Sequence, residues 1–389
     1  MFILTFLRPV KSIFKARFVL LLLFVLAMLS LLWSSTTLPK RQAVAVLPEG
    51  VRADDHHVNI PYFIESEGMS SILTLNNNLP EVTTATVTIF NRKGNPLAIP
   101  PIPLAPLSPV RFSLKQLTST AAGDFSSGNI EISYSGPSMA VTSQVSVVSE
   151  RLRFSIESLE TEAMEFASAK LDGILWLPDS SAQAGVALSN TATKALTVTV
   201  SATQQPGKKA RTVTLNSRET RVIDPKDFLE GKVDSTPALI TLEHNGQPGD
   251  VIATGFVLNP ANGFSSNLNF IDRSTTKSSR LAGAHFRFGA PDPKEGFPPG
   301  TKFLAPLVLA NAEDSATDAR LFVDYTVDSQ SRRVEIGKIL LGPKEIRQID
   351  LSQELARKGI IGPVKDAGVD ISYSGMVGSV IARLVSMDS

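Results

Sequence analysis

The pentapeptide ISYSG at Ile132–Gly136 recurs letter for letter at Ile371–Gly375, and LEHNG at Leu242–Gly246 keeps its pattern between them. In all three copies apolar or aromatic residues alternate with polar ones, which is the period of a strand with one buried face. A closing glycine and a second apolar segment follow each copy. The pattern therefore predicts three copies of a β-hairpin. The returning strands are expected at residues 141–148, 251–258 and 377–384.

Two further signals precede each copy in the same order. A Leu-x-Asn tripeptide comes first, and an arginine lies 25, 25 and 28 residues before the closing glycine. Length changes fall between these signals, as loops between strands would allow. The tripeptides end at Asn77, Asn190 and Asn311, and the arginines are Arg111, Arg221 and Arg347. One domain is therefore expected three times in tandem.

Strand patterns of period two fill the rest of each copy, while helical periodicity is confined to residues 225–230 and 351–358. Short strands separated by turn residues predict an all-β chain of three tandem antiparallel β-sandwich domains of the immunoglobulin-like type. Six prolines lie between Pro96 and Pro109, which suits an extended edge segment. That segment could be a rigid loop or a docking site for a partner.

The N-terminus has the pattern of a membrane signal. Basic residues precede an uncharged apolar run over residues 18–38, which is long enough to span a bilayer as one transmembrane helix. The basic flank predicts a cytoplasmic N-terminus with the remaining chain in the periplasm or on the cell surface. An alternative is a signal peptide cleaved after Ala45, in the triplet Ala43-Val44-Ala45.

These signals give the following expected organisation. The segments are a basic cytoplasmic segment (1–17), a signal-anchor helix (18–38), a linker (39–57), a first sandwich (58–156), a connector (157–170), a second sandwich (171–272), a linker (273–282) and a third sandwich (283–389).

Composition narrows the class of protein. The chain is 43% hydrophobic and 19% charged, as globular proteins are. Beyond residue 41 the net charge is slightly negative, which argues against nucleic acid as a partner. With no cysteine, the chain can carry neither a lipoprotein anchor nor disulfides, so apolar cores must stabilise the exported domains.

One compact group of potential metal ligands precedes the first sandwich. Asp54, Asp55, His56 and His57 are consecutive and could hold a divalent cation if a further ligand approached. In a linker, however, the same residues would be solvated, so we assign no metal ligand.

The remaining polar candidates have structural interpretations. His244 replaces the tyrosine of the other two copies and is expected to pack as an aromatic side chain, and His285 is expected to be structural. The acidic groups Glu313-Asp314 and Asp224 with Asp227 are expected in solvated turns, and the repeated arginines along strands. Common nucleotide-binding, hydrolase and zinc-protease motifs are missing from the sequence. We therefore assign no catalytic or cofactor-binding residue and expect no enzymatic activity.

The first copy carries a family resemblance. The segments IPYFIESEGMSSILTLNN (60–77) and VTIFNRKGNPL (87–97) resemble repeats of exported, largely uncharacterised bacterial proteins, especially acidobacterial ones. In these proteins L-x-L-x-N, a strand and x-G-x-P-L recur in immunoglobulin-like sandwiches. The second and third copies match mainly at Leu-x-Asn and the predicted hairpin. The resemblance implies a surface or envelope β-domain and transfers no active-site residue.

Together these signals predict a non-enzymatic, membrane-anchored extracytoplasmic repeat protein with a structural, adhesive or protein-binding role. Expected partners are the membrane, through residues 18–38, and envelope proteins. Binding of carbohydrate or cell-wall polysaccharide is the alternative, although the chain has only two tryptophans and four tyrosines. A hydrolase or metalloenzyme on a sandwich scaffold is a third hypothesis.

Overall fold

The computed structural model describes residues 54–149, 154–162, 165–204, 207–228, 237–261, 263–291, 293–327 and 329–388. In this part of the chain nearly all regular structure is antiparallel β-sheet, which confirms the all-β class. Strands face each other in pairs of sheets with apolar cores between them. In each pair we call the sheet that contains the first strand the entry sheet and the other the return sheet.

The first sheet pair extends to residue 162. Its entry sheet has the order β10-β1-β7-β3-β4, with β5 also paired to β3, and its return sheet has the order β6-β2-β8-β9. The strands are β1 (Asp54–Ile64), β2 (Ser70–Asn77), β3 (Thr83–Asn91), β4 (Pro96–Ala98), β5 (Ile102–Leu104), β6 (Pro109–Ser113), β7 (Ser127–Gly136), β8 (Val141–Ser149), β9 (Phe154–Leu159) and β10 (Thr161–Glu162). A short helix, α1 (Leu114–Leu117), follows β6.

The second sheet pair repeats this plan. The entry sheet is β11-β16-β13-β14 and the return sheet is β15-β12-β17-β18. The strands are β11 (Lys170–Leu175), β12 (Gln183–Asn190), β13 (Leu196–Gln204), β14 (Gly207–Leu215), β15 (Thr220–Ile223), β16 (Ala238–His244), β17 (Val251–Asn259) and β18 (Phe264–Asn269). A 3-10 helix at Pro225–Phe228 follows β15.

The third sheet pair has the entry sheet β19-β25-β22-β23 and the return sheet β24-β21-β26, with β20 and β27 paired separately. The strands are β19 (Arg280–Phe288), β20 (Phe303–Leu304), β21 (Pro306–Asn311), β22 (Thr317–Val327), β23 (Gln330–Leu341), β24 (Ile346–Asp350), β25 (Val364–Tyr373), β26 (Val380–Leu384) and β27 (Met387–Asp388). The helix α2 (Leu351–Arg357) follows β24, and its N-cap Asp350 accepts hydrogen bonds from the backbone of Ser352 and Gln353. Two 3-10 turns lie at Arg273–Thr275 and Pro293–Glu295.

Alternation along the strands produces the cores. In β8, Val141, Val145 and Val147 are almost fully buried, whereas the intervening Thr142, Gln144 and Ser146 are partly exposed. Each inward face packs against the inward face of the opposite sheet, so each pair has its own apolar cluster. At about 25 cal/mol per Å² of apolar area removed from water, these clusters are the main stabilising term of a chain without disulfides.

The predicted hairpin is wrong. The pentapeptide strand β7 pairs with β1 and β3, whereas the following strand β8 pairs with β2 and β9 in the opposite sheet. The second and third copies separate β16 from β17 and β25 from β26 in the same way. The glycine therefore begins a crossover between sheets. In immunoglobulin domains, by contrast, the last two strands, called F and G, lie side by side in one sheet.

Several predicted boundaries also shift. Strand β1 starts at Asp54, inside the expected linker 39–57, and β9 and β10 occupy part of the expected connector 157–170. Strand β19 starts at Arg280, inside the expected linker 273–282. The two weak helical patterns do form helices, at Pro225–Phe228 and Leu351–Arg357. The proline-rich segment forms the short edge strands β4 and β5.

Residues 1–53 lie outside the described part, and with them the predicted cytoplasmic segment, the span 18–38 and the alternative cleavage site after Ala45. No helix among the described residues is long and apolar enough to cross a membrane.

Candidate functional site: joints and exposed tips

The repeated asparagine organises the loops at one end of each sheet pair. Asn77, Asn190 and Asn311 are 2%, 0% and 0% exposed. Each side-chain amide donates to three backbone carbonyls: one lies four residues ahead, and two lie where the chain leaves β5, β14 or β23. Each side-chain oxygen accepts a backbone N–H two residues ahead. We call this end of each sheet pair its tip.

The tyrosine of the pentapeptide anchors the crossover at the same tip. The Tyr134 hydroxyl accepts the N–H of Met139 at 3.0 Å, and the Tyr373 hydroxyl accepts that of Gly378 at 2.9 Å. His244 takes this position in the second pair, where neither buried ring nitrogen has a hydrogen-bond partner. Burial lowers the pKa of His244, which Asp250 partly opposes. His244 therefore packs as a neutral ring.

Only two of the three repeated arginines occupy equivalent positions. Arg221 and Arg347 stand opposite the leucine of the Leu-x-Asn tripeptide, where the first pair has Val110 opposite Leu75. Arg111 is displaced by one residue and stands opposite Thr74. A one-residue displacement places a side chain on the other face of a strand, so the spacing match of Arg111 is coincidental.

Consecutive sheet pairs are joined by buried contacts. At the first joint, the outer face of the first entry sheet packs against the second return sheet. Ser189 in β12 donates to the Pro61 carbonyl at 2.5 Å, and the Tyr62 and Phe256 rings stack at 6.1 Å. Arg218 in the second tip bonds Glu131 at 2.7 Å and lies 5.0 Å from the centre of the Phe90 ring. The second tip thus takes part in the joint.

Close approach at this joint explains a glycine of the first copy. Gly94 has φ of +84°, and a Cβ there would lie 2.2 Å from the Ser217 carbonyl of the second tip. A larger residue would have to push the two sheet pairs apart.

The second joint has an apolar part. One buried cluster joins Ile174 and Leu239 of the second entry sheet, and Trp176 just after β11, to residues of the third sheet pair. The third-pair members are Val308, Ala310, Ala312, Ile381 and Val385. The Trp176 indole donates to Gln348 at 2.9 Å, which satisfies its buried N–H.

Two arginines complete the second joint. Arg273 bonds Asp172 at 2.6 Å and Glu313 at 2.7 Å. Burial alone would lower the pKa of Arg273, but these two carboxylates outweigh it and raise the pKa. Arg383 donates to the carbonyls of Ile174 and Asn267, and burial lowers its pKa to about 10, so it stays charged at neutral pH.

On the outer face of the third entry sheet, charged side chains form ion pairs within that sheet. Asp370, the equivalent of Glu131 by strand register, binds Arg280 at 2.7 Å and also binds Arg333. These bonds lower the pKa of Asp370 to about 2. Arg333 also lies 4.5 Å from the centre of the Phe322 ring. The first face receives its arginine from the next sheet pair, whereas the last supplies its own.

A cleft of about 480 Å³ lies where the first two sheet pairs meet the segment before β19. Glu160 and Glu165 are among its lining residues. Burial raises the pKa of Glu160 to about 7, with Glu162 and Glu165 adding to the shift, although Ser143 donates to Glu160 at 2.5 Å. The cleft can therefore exchange a proton near neutral pH.

The structure does not bring the four residues at 54–57 together as ligands. They pair in sequence with β7, from Asp54 opposite Gly136 to His57 opposite Ser133. Asp55 accepts a hydrogen bond from Ser135, and the His56 ring stacks on Tyr134 at 5.2 Å. In a strand, consecutive side chains point to opposite faces. Within the described ranges no group of three or more histidines or carboxylates could hold a metal.

The other candidates are dispersed. His285 lies 3.0 Å from Asp366 in an exposed pair, which the sequence pattern did not indicate. Glu313 is part of the second joint, and Asp314 lies 3.6 Å from Lys344. Asp227 lies 3.6 Å from Arg211, and Asp224 accepts the N–H of Lys226.

Sequence reasoning missed the joints, although one signal was available. The segment Ile174-Leu175-Trp176-Leu177 is apolar without alternation, which is typical of a strand covered on both faces. Arg273 had no such signal, because its neighbours read as a polar linker.

The outer faces at the two ends differ from those in the joints. In the first return sheet, Asn76, Thr142 and Gln144 are partly exposed, whereas the equivalents in the third are Ala310, Ile381 and Arg383 inside the joint. Polar outer faces at both ends are a property of terminal repeats in stacked arrays.

Comparison with models of known protein families finds no match, and comparison with curated proteins finds no relative.

Proposed function

We propose that the protein is a membrane-anchored, non-enzymatic structural array of three tandem antiparallel β-sandwich domains outside the cytoplasm, each formed by one sheet pair. Residues 18–38 are its anchor. The resemblance of residues 60–77 and 87–97 to repeats of exported bacterial proteins agrees with this role. Adhesion to envelope proteins belongs to the same proposal.

The observation that supports a structural role most directly is the burial of both joints. Asp172 is 2% exposed, yet it is shared between the second sheet pair and Arg273, which also holds the third pair through Glu313. Breaking one partner of such a buried pair costs about 3 to 5 kcal/mol. Flexible linkers between independent binding modules would not need such contacts.

The carbohydrate alternative receives less support. Trp176 lies in a joint, and all four tyrosines are at most 9% exposed. Sugar binding generally uses exposed aromatic faces, and the described surface offers no exposed tryptophan or tyrosine.

The location can be tested by cysteine labelling, because the natural chain contains no cysteine. Asp314 is 91% exposed in its side chain, so Asp314→Cys should react with a membrane-impermeant maleimide in intact cells. Ser12→Cys in the basic segment should react only after permeabilisation. Reaction of Ser12→Cys alone in intact cells would reverse the topology.

The structural role can be tested by distance measurements between spin labels at the exposed residues Glu67 and Asp366, in the first and third sheet pairs. A narrow distance distribution is expected, and Arg273→Ala should broaden it. A broad distribution in the otherwise natural chain would contradict a structural role. Retention of that chain on purified wall polysaccharide would favour the carbohydrate alternative.

A further inference from the structure

The tip of the first sheet pair presents large apolar side chains to solvent. Val82, Leu107 and Met139 are 64%, 68% and 66% exposed. They lie in the loops 78–82, 105–108 and 137–140, which we call the first tip. Single exposed apolar residues are ordinary, but three in adjoining loops require an explanation.

Hydrogen bonds hold the three loops of the first tip together. The Asn77 amide donates to the carbonyls of Glu81 and Ala105, and the Asn78 amide donates to that of Met139. The Leu107 N–H donates to the Leu79 carbonyl at 2.9 Å. The apolar side chains therefore project from one connected surface.

In the second sheet pair, the position equivalent to Leu107 makes contact with the preceding sheet pair. In each sheet pair, the backbone N–H of the repeated asparagine donates to one backbone carbonyl of the tip. The residue just before that acceptor is Leu107 in the first pair, Arg218 in the second and Lys344 in the third, and their φ angles are 49°, 57° and 52°. Arg218 docks on the preceding sheet pair through Glu131 and Phe90. Leu107 holds the same place in the first tip, and the described residues include no sheet pair before the first one.

Met139 also stands at a position that makes a contact in another tip. Its φ is 63°, and the equivalent residues are Gly249 and Gly378, both with φ of 83°. The Gly378 carbonyl accepts a bond from Arg273, and a Cβ there would lie 2.5 Å from the Arg273 carbonyl. A left-handed backbone disfavours a side chain by about 1 kcal/mol or more. The first tip nevertheless carries methionine where the other tips carry glycine.

The described chain begins at the end of the first sheet pair that carries the first tip. Strand β1 begins at Asp54, opposite Gly136, and therefore at the tip end of the sheet. Fifteen residues separate this point from the end of the apolar run at Leu38. Even when fully extended, fifteen residues span at most about 50 Å.

From these observations we infer that the first tip docks on the lipid bilayer, with Leu107, Met139 and Val82 inserted at the level of the headgroups. This inference rests on the membrane anchor of the proposed function. Glu81 is the one charged residue in the loops of the first tip, so apolar burial drives the contact and anionic lipids are not required.

The test uses the full chain reconstituted into phosphatidylcholine vesicles, with an environment-sensitive fluorophore on a single introduced cysteine. Leu107→Cys and Met139→Cys should show blue-shifted emission and be quenched by spin-labelled lipid. Lys344→Cys, at the equivalent position of the third tip, is the matched control and should show neither effect.

Water-like emission and no lipid quenching at positions 107 and 139 would overturn the inference. Shielding from an aqueous quencher without lipid quenching would also overturn it, because a protein would then cover the first tip. Labelling of Asp314→Cys in intact cells separates the two proposals. If that label reports an extracytoplasmic third sheet pair while position 107 stays in water, only the bilayer contact fails. If Asp314→Cys does not react with the impermeant maleimide in intact cells while position 107 is lipid-quenched, the proposed extracytoplasmic topology fails and the bilayer contact stands.

Discussion

At the scale of single residues, the asparagine that ends β2, β12 and β21 shows how much a short signal can report. The Leu-x-Asn spacing correctly marked equivalent positions, because a buried side-chain amide with several backbone partners tolerates no replacement without loss of hydrogen bonds. The arginine spacing was misleading in one copy, because Arg111 is solvent-exposed and has no such set of partners to fix its register.

His244→Tyr is expected to stabilise the protein. The tyrosine hydroxyl could accept the N–H of Gly249, as Tyr134 and Tyr373 accept the equivalent N–H groups, and two unpartnered ring nitrogens would be removed. We expect the free energy of unfolding to rise by about 1 kcal/mol in chemical denaturation. Tyr373→Phe should lower it by a similar amount. A destabilising His244→Tyr would contradict this account of the crossover.

Glu160 makes stability depend on pH. Its pKa is raised from 4.5 to about 7 in the folded protein, so the folded state holds a proton that the unfolded state releases. Stability should therefore fall as pH rises from about 4.5 to 7 and stay lower above that range.

Glu160→Gln removes this proton linkage. It should stabilise the protein by about 1 to 2 kcal/mol at pH 8, allowing for partial solvent screening, and change little at pH 4. Denaturation at both pH values tests this expectation. The exposed Glu67→Gln should give the same stability difference at both values, and a Glu160→Gln effect independent of pH would contradict the assignment.

At the scale of elements, alternation predicted the strands but not their partners. The pattern of the pentapeptide shows which side chains face a core, and this holds for β7 and β25. It carries no information on which sheet the next strand joins. The closing glycine of the second copy, Gly246, predicted a hairpin, yet six residues separate β16 from β17, enough for the chain to cross between sheets.

Trp176→Ala should weaken the second joint. It removes a side chain that is 4% exposed, together with its bond to Gln348, and a cost of about 3 to 4 kcal/mol is expected. Hydrogen exchange should accelerate in β11 and β21 before other strands.

Trp176→Phe keeps most of the apolar contact and loses the indole bond, so a cost of about 1 kcal/mol is expected. Equal losses for both variants would show that the hydrogen bond, rather than packing, dominates the joint.

At the scale of the whole molecule, burial of both joints should make the three sheet pairs unfold together. In calorimetry of the full chain we expect one cooperative transition. Arg273→Ala leaves Asp172 buried without its partner and separates the third pair from the second, so a second transition should appear. Arg357→Ala, which removes an exposed helical ion pair, should leave a single transition. Separate transitions in the unmodified chain would contradict the coupling.

The repeat itself was predictable from sequence, whereas the joints were not. Repetition reports what the copies share, but the joints depend on residues that differ between copies. Arg218, Leu107 and Lys344 occupy one position and have three different surroundings.

The arginines over Asp370 and Phe322 bear on how this chain could lengthen during evolution. A duplicated unit added after the third sheet pair would meet a face whose carboxylate is already paired, and one added before the first would meet polar side chains. Among the described units, only the second has joint-forming residues on both faces. Longer relatives, if they arose by duplication, should therefore carry extra copies of the middle unit between conserved first and last ones.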